Sequence, residues 1–233
     1  MIQETLEVML DEHTFALHVH RPDDQPRPAV IICHTWRGQS DFERGWAESM
    51  AEQGYVGVAH DIYGVGVRGE SPEACRALMS PLIADRDELG RRLLAGVRAV
   101  VAQPWVDPAR VAAIGFCFGG LCVLDLARRR APLAGVVSVH GLFHPGPGAP
   151  APIDARVLIL HGYDDPMAPP EAMHAIAAEL TEAGADWQIH AYGGTMHAFT
   201  NPEANDPERG TVYSKRASVR ARRSTEAFLH ELF

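Results

Sequence analysis

From residue 29 onward, short apolar runs alternate along the chain with longer stretches in which apolar residues recur at helical spacing. The run at 157–160, Val-Leu-Ile-Leu, is apolar at every position, which is typical of a parallel strand with both faces covered. Alternating strand and helix patterns indicate an α/β protein. The pattern therefore predicts a mostly parallel central sheet with helices on both faces.

The predicted strands of this sheet are 29–33, 56–60, 111–114, 135–139, 156–160 and 187–191. Helices are predicted over about 42–53, 88–103, 119–130, 170–183 and 215–232. The segments 5–8 and 15–19 indicate an antiparallel hairpin before the sheet. The 21 Gly and 17 Pro are spread between the apolar runs as turn residues, and no linker or internal repeat divides the chain. Residues 1–233 are therefore expected to form a single domain.

The formal net charge of −9 argues against general affinity for nucleic acid or anionic membranes, because both require a positive surface field. The basic run 215–223 has two interpretations, the solvated start of the last helix or a binding patch. The chain shows no signal-peptide pattern and no run of about 18 apolar residues, so a soluble cytoplasmic protein is expected. The 4 cysteines show no paired framework, and a chain of this length does not need disulfides.

The most informative motif is Gly-Phe-Cys-Phe-Gly at 115–119, between a predicted strand and a predicted helix. It has the form of a nucleophile elbow, with Cys117 where many hydrolases carry serine. The small flanking residues allow a tight, strained turn, and the start of the helix favours a thiolate and an oxyanion. An ordinary turn with a buried cysteine is the alternative. The downstream loops favour the elbow, because strand 156–160 precedes two carboxylates and strand 187–191 precedes His197. The order nucleophile, acid, base is that of α/β-hydrolases.

Three segments resemble the signature regions of the dienelactone hydrolase family: 115–120 (Gly-Phe-Cys-Phe-Gly-Gly), 161–169 (His-Gly-Tyr-Asp-Asp-Pro-Met-Ala-Pro) and 197–199 (His-Ala-Phe). The segment 60–64 also resembles the family pattern, and the similarity covers nearly the whole chain. The resemblance implies an α/β-hydrolase fold and an enzyme that cleaves a carboxylic ester or lactone. It also implies that Cys117 is the nucleophile, Asp165 the acid and His197 the base. Asp165 is preferred to Asp164 because the family acid stands three residues after the glycine and four before the proline that opens the next helix.

An oxyanion hole requires two N–H donors, and the residues at the corresponding positions are Phe118, after the nucleophile, and Trp36, in the loop after strand 29–33. Two positions depart from the family pattern. Thr35 stands where the family carries a glutamate that can partner the resting cysteine. Asn201 stands where the family carries an arginine that binds the substrate carboxylate. Arg37 is either a replacement anion contact or a residue at the rim of the site.

No cofactor or metal is predicted, because the histidine pairs His18 with His20 and His140 with His144 lack a further ligand at a recognisable spacing. The expected partner is a small ester or lactone. Two other functions stay open on the same fold, a non-catalytic ligand-binding protein and a reactive-cysteine redox protein. An intact Cys-Asp-His set counts against the first. The position of Cys122, within the predicted elbow helix, counts against its use as a resolving cysteine.

Overall fold

The computed structural model describes residues 1–146, 148 and 151–233. Its strands are β1 (Ile2–Leu10), β2 (His13–Arg21), β3 (Arg27–Cys33), β4 (Val56–His60), β5 (Val106–Phe116), β6 (Gly135–Val139), β7 (Arg156–Gly162), β8 (Trp187–Tyr192), β9 (Asn205–Asp206) and β10 (Thr211–Val212). Its helices are α1 (Asp41–Glu52), α2 (Pro72–Ala84), α3 (Arg86–Val101), α4 (Phe118–Arg128), α5 (Pro170–Glu182) and α6 (Lys215–Leu232). Every strand and helix predicted from the sequence is present, although several ends differ. Helix α2 and the short hairpin β9–β10 were not predicted.

The central sheet has the strand order β1-β2-β4-β3-β5-β6-β7-β8. The hairpin β1–β2 joins it through an antiparallel contact between β2 and β4, and all further pairs from β4 to β8 are parallel. The predicted mostly parallel α/β architecture is therefore confirmed. In such a sheet the loops that follow the parallel strands gather at one edge, where ligands bind.

The two faces of the sheet carry separate apolar clusters, as the alternation along β3 shows. Val30 and Ile32 belong to the cluster that includes Met50 of α1 and residues of α6. Ile31 belongs to the opposite cluster, which includes Leu93 of α3 and residues of α4 and α5. Full burial of each such side chain stabilises the fold by about 1.5–3 kcal/mol. This double cover explains why the central strands are apolar at consecutive positions.

The basic run 215–223 forms the first half of α6, with Ala217 and Ala221 buried and all the basic side chains exposed or half-buried. Arg222 lies over the ring of Trp46 of α1, 4.6 Å from its centroid. The run therefore packs α6 onto the sheet through its alanines and directs charge outward. Among the residues described, no helix is both long and apolar enough to cross a membrane.

Candidate active site

The elbow is a sharp turn from β5 into α4, and Cys117 alone connects the two elements. Cys117 has φ +56° and ψ −113°, a conformation that L-residues rarely adopt. Close backbone packing accounts for the two glycines of the motif. A Cβ on Gly115 would lie 1.9 Å from the carbonyl oxygen of Gly119, and one on Gly119 would lie 2.2 Å from that of Cys33. The turn therefore holds Cys117 at the edge of the sheet, half-buried, whereas the other three cysteines are buried.

The predicted acid and base meet at the same edge, in the loops after β7 and β8. His197 Nδ1 lies 2.7 Å from Asp165 Oδ2, and both side chains are buried, with exposed fractions of 2% and 0%. The second carboxylate oxygen of Asp165 accepts a hydrogen bond from the Met167 N–H at 2.8 Å. Asp164 is exposed, and its N–H donates to the carbonyl of Thr195. The geometry therefore pairs His197 with Asp165 and leaves Asp164 in a turn.

The loop that carries His197 is braced by the hairpin β9–β10. The His197 N–H donates to the carbonyl of Gly210 at 2.8 Å, and the Val212 N–H donates to the carbonyl of His197 at 3.1 Å. The only sequence signal for this brace is a turn-forming stretch, Asn-Asp-Pro at 205–207 followed by Gly210. The backbone of the predicted base is thus fixed by hydrogen bonds on both its sides.

The protonation of His197 depends on its two ionisable neighbours. Burial acts to lower its pKa, but the negative charge of Cys117 and the hydrogen bond to Asp165 outweigh burial and raise the pKa to about 10. Nε2 is buried and makes no hydrogen bond of standard geometry to any described residue. The ring therefore keeps its proton at neutral pH, and an imidazolium beside a cysteine is an arrangement suited to nucleophilic catalysis.

A second histidine, His140, packs against this ring. Its centroid lies 5.1 Å from that of His197 in an edge-on contact, and its Nε2 lies 2.8 Å from Thr200 Oγ1. Burial, followed by the charge of His197, lowers the pKa of His140 well below its usual value, so the ring is neutral. The sequence paired His140 with His144 as a weak metal candidate, but His144 is exposed. Within the described part of the chain, no three His, Cys, Asp or Glu side chains are grouped to hold a metal ion.

The two predicted oxyanion donors lie at the start of α4 and in the loop after β3. The backbone N–H groups of Phe118 and Trp36 donate no hydrogen bond to another described residue. A free N–H at the first position of a helix is normal, because the preceding turn offers no acceptor. Neither N–H group therefore has an acceptor among the described residues, as an oxyanion donor would require.

The predicted substrate contacts are held less firmly. Thr35 Oγ1 accepts a long hydrogen bond of 3.4 Å from the Arg37 N–H. The Arg37 side chain is 50% exposed and forms an ion pair of 3.8 Å with Glu70. Asn201 is exposed, and its Oδ1 accepts from the Glu203 N–H at 3.0 Å, which closes a local turn. All three follow strands that end near the predicted triad.

A strained cysteine elbow at the carboxyl edge of a mostly parallel sheet, with a buried Asp-His pair beside it, defines the α/β-hydrolase class. Residues 15–233 match the dienelactone hydrolase family. The chain belongs to this family and is a hydrolase that acts on esters or lactones.

The chain is similar in sequence or structure to several known proteins. A carboxymethylenebutenolidase of a Pseudomonas species is 27% identical over 216 residues, which cover 82% of this chain and 84% of that protein. An uncharacterised protein of Caenorhabditis elegans is 34% identical over 157 residues, 65% of this chain and 99% of the relative. A crystal structure of a dienelactone hydrolase-like promiscuous phosphotriesterase from metagenomic libraries is 30% identical, with a TM-score of 0.91 and coverage of 100% and 98%.

Proposed function

We propose that the protein hydrolyses a small carboxylic ester or lactone through an acyl-enzyme formed on Cys117, with His197 as base and Asp165 as orienting acid. One observation carries the proposal: the buried contact of 2.7 Å between Asp165 and His197, beside a cysteine on an elbow. Asp165 fixes the ring so that Nδ1 faces the carboxylate and Nε2 is left for Cys117 and the substrate. No cofactor takes part in this chemistry.

The reaction runs in two halves. The Cys117 thiolate attacks the carbonyl carbon, a C–S bond forms, and the carbonyl electron pair moves to oxygen, where the N–H groups of Trp36 and Phe118 stabilise it. The tetrahedral intermediate collapses, the C–O bond to the alcohol breaks, and His197 Nε2 supplies the proton to the departing oxygen. Water then attacks the thioester carbonyl carbon while His197 accepts its proton, and the C–S bond breaks, which releases the carboxylic acid and restores the thiolate. Asp165 stabilises the imidazolium whenever it forms.

We infer that neutral substrates are preferred to carboxylate-bearing ones. Asn201 cannot provide the charge-assisted bidentate contact that an arginine gives to a carboxylate, and its side chain is engaged in a turn. Arg37 is an alternative cation in the loop after β3, but it pairs with Glu70 at the surface. A carboxylate substrate would therefore have to compete with Glu70 for this guanidinium.

Phosphotriesters form a second candidate substrate class, because the structural neighbour described as a promiscuous phosphotriesterase shares 30% identity over the full length of this chain. The same thiolate would attack phosphorus, form an S–P bond and break the P–O bond to one alcohol, which would leave with a proton from His197. Water would then attack phosphorus, and cleavage of the S–P bond would restore the thiolate. The two oxyanion donors would bind the phosphoryl oxygen. We propose this as a side activity of the ester hydrolase site.

Mass spectrometry of the quenched enzyme tests the main proposal and separates it from its alternatives. After brief mixing with a p-nitrophenyl ester, the protein should gain the mass of one acyl group, and peptide mapping should place it on Cys117. The matched control is Cys75→Ser, because Cys75 is a buried cysteine of α2 whose thiol is engaged as a donor to the carbonyl of Gly69. That variant should keep both turnover and the adduct.

Three outcomes would count against the proposal. Acylation of another residue would remove Cys117 as nucleophile. Ester binding without release of the alcohol would favour the non-catalytic ligand-binding protein. Thiol oxidation as the only reaction would favour the redox protein, although Cys122 lies buried inside α4, where burial raises its pKa well above the usual value.

A further inference from the structure

We propose that His34 is a positioning residue that aims the Trp36 N–H at the substrate oxyanion by holding the carbonyl of Thr35. His34 directly follows β3 and is fully buried, and its Nδ1 is 2.6 Å from the Thr35 carbonyl oxygen. The inference rests on the proposed function, because an oxyanion donor has a task only in an acyl-transfer site.

The hydrogen bonds of the ring define its tautomer. Nε2 lies 3.1 Å from the Ile62 backbone nitrogen, which can only donate, so Nε2 must be the unprotonated acceptor. Nδ1 then carries the proton and donates it to the Thr35 carbonyl. Burial lowers the pKa of His34 despite the charge of Glu43, which keeps the ring neutral at neutral pH. A neutral ring can serve both partners at once, whereas an imidazolium would lose the Ile62 contact.

The geometry of the Thr35-Trp36 peptide determines where the Trp36 N–H points. The Thr35-Trp36 peptide is trans, as are all described peptide bonds, so its C=O and N–H point to opposite sides. His34 holds the oxygen on one side, and the Gly38 N–H adds a second contact to it at 3.3 Å. The Trp36 N–H consequently points the other way, and no described residue accepts it.

The neighbouring peptides are held as well. Glu43 of α1, fully buried, accepts the Thr35 N–H through Oε1 at 3.3 Å and the Ser40 N–H through Oε2 at 2.8 Å. Tyr63 donates its hydroxyl to the Trp36 carbonyl at 3.0 Å, and its ring packs edge-on to His34 with centroids 4.6 Å apart. The loop therefore has side-chain anchors before, at and after the peptide that carries the donor. His34 is the anchor on that peptide itself.

Three substitutions separate the two hydrogen bonds of the ring. His34→Asn places an amide N–H near the position of Nδ1 and can keep the Thr35 contact. His34→Gln places its amide near Nε2 and can keep only the Ile62 contact, while His34→Leu keeps neither. We expect His34→Asn to retain kcat within a few-fold. Both other variants should lose kcat by on the order of 100-fold with little change in KM, since misplacing a group by about 1 Å can cost that much.

Alkylation of Cys117 by iodoacetamide provides a readout that a general structural defect would move and this role would not. The thiolate displaces iodide directly from carbon, so no oxyanion forms. Alkylation rates should therefore match the wild type in all three variants, even where ester turnover falls. Thermal melts of each variant show whether it is folded.

Equal losses in His34→Asn and His34→Gln, unchanged kcat in His34→Leu, or alkylation slowed in step with turnover would overturn the inference. If the variants do not fold, ¹⁵N NMR of the wild-type ring decides, because a proton on Nε2 instead of Nδ1 contradicts the geometry. Wild-type enzyme that hydrolyses no ester, lactone or phosphotriester would instead overturn the proposed function, and this inference with it.

Discussion

The proposed triad and the three rim residues Thr35, Arg37 and Asn201 lie at the same edge of the sheet but differ in what holds their side chains. In the triad, Asp165 and His197 are buried and joined at 2.7 Å, and strained backbone fixes the third member. At the rim, Arg37 is half exposed and Asn201 is engaged in a local turn. A group fixed in the free protein can be assigned a chemical task from its contacts. A rim group acquires a task only through the substrate that contacts it.

Substitution of the proposed nucleophile should have the largest effect on activity of any change in the two regions. Cys117→Ala should lower kcat for ester hydrolysis by on the order of 10⁵-fold or more, because removing the nucleophile of such a triad costs about that much. The fold should persist, since only a half-buried thiol is lost. Initial rates with an activated ester, together with a thermal melt, check both expectations. Turnover near the wild-type rate in a folded Cys117→Ala protein would end the assignment.

The adjacent carboxylates Asp164 and Asp165 allow a buried, hydrogen-bonded group to be compared with an exposed one. Asp165→Asn should reduce kcat by on the order of 10²- to 10⁴-fold, because the amide no longer stabilises the imidazolium. Asp164→Asn, one residue away and exposed, is the matched control and should stay within about threefold of the wild type. Steady-state kinetics on both variants decide the matter. A larger loss in Asp164→Asn would mean that the acid is out of register by one residue.

The reactivity of Cys117 in the absence of substrate tests whether another group binds the resting thiol. Thr35 stands where the family carries a glutamate that can partner this cysteine, so we expect the thiol to be free to react. Iodoacetamide should alkylate Cys117 at neutral pH without substrate, faster than it alkylates glutathione. His197→Ala should slow the reaction by roughly 10- to 100-fold, since the thiolate is the reactive form and loses its cationic partner. Burial raises the pKa of Cys33 to about 12, so this thiol should not compete. A rate unaffected by removing His197 would show that some other contact governs the cysteine.

The pKa of His197 tests whether the fixed groups act on one another. The raised value of about 10 means that the imidazolium is present at neutral pH and is lost as the pH rises through 10. In Cys117→Ala the largest cause of the rise is gone, so the ring should titrate at a lower pH than in the wild type. Side-chain NMR over a pH series measures both values. An identical pKa in the two proteins would show that Cys117 carries no charge beside the ring.

The rim residues should show the smallest effects. Asn201→Ala and Arg37→Ala should each change kcat/KM for a neutral ester by less than about threefold, as is usual for surface side chains. Asn201→Arg should raise the activity on a carboxylate-bearing lactone relative to that ester, because it adds a bidentate cation. Competition between the two substrates measures this ratio. A wild-type preference for the anionic lactone would contradict the expectation and direct attention to Arg37.

The sequence predicted the sheet and the elbow because their signals are local. Apolar runs mark buried strands wherever they occur, and the glycines at 115 and 119 report a backbone contact within five residues. Helix α2 was missed because Pro81 lies inside it and reads as a helix breaker, although Ser71 and Pro72 provide a normal start. The role of His34 was equally hidden. Its Nε2 accepts a hydrogen bond from the backbone N–H of Ile62, which is 28 residues away in the sequence, and only the packed fold brings the two residues together.

The positive φ of Cys117 lowers the stability of the folded protein. A side chain at this φ typically costs of order 1–3 kcal/mol, and glycine is nearly free of the penalty. Cys117 also opens α4 without a side-chain hydrogen bond to its first turn. Glycine at this position should therefore give a more stable but inactive protein. Stability alone therefore favours glycine at this position, and the proposed nucleophile occupies it at a cost in the free energy of unfolding.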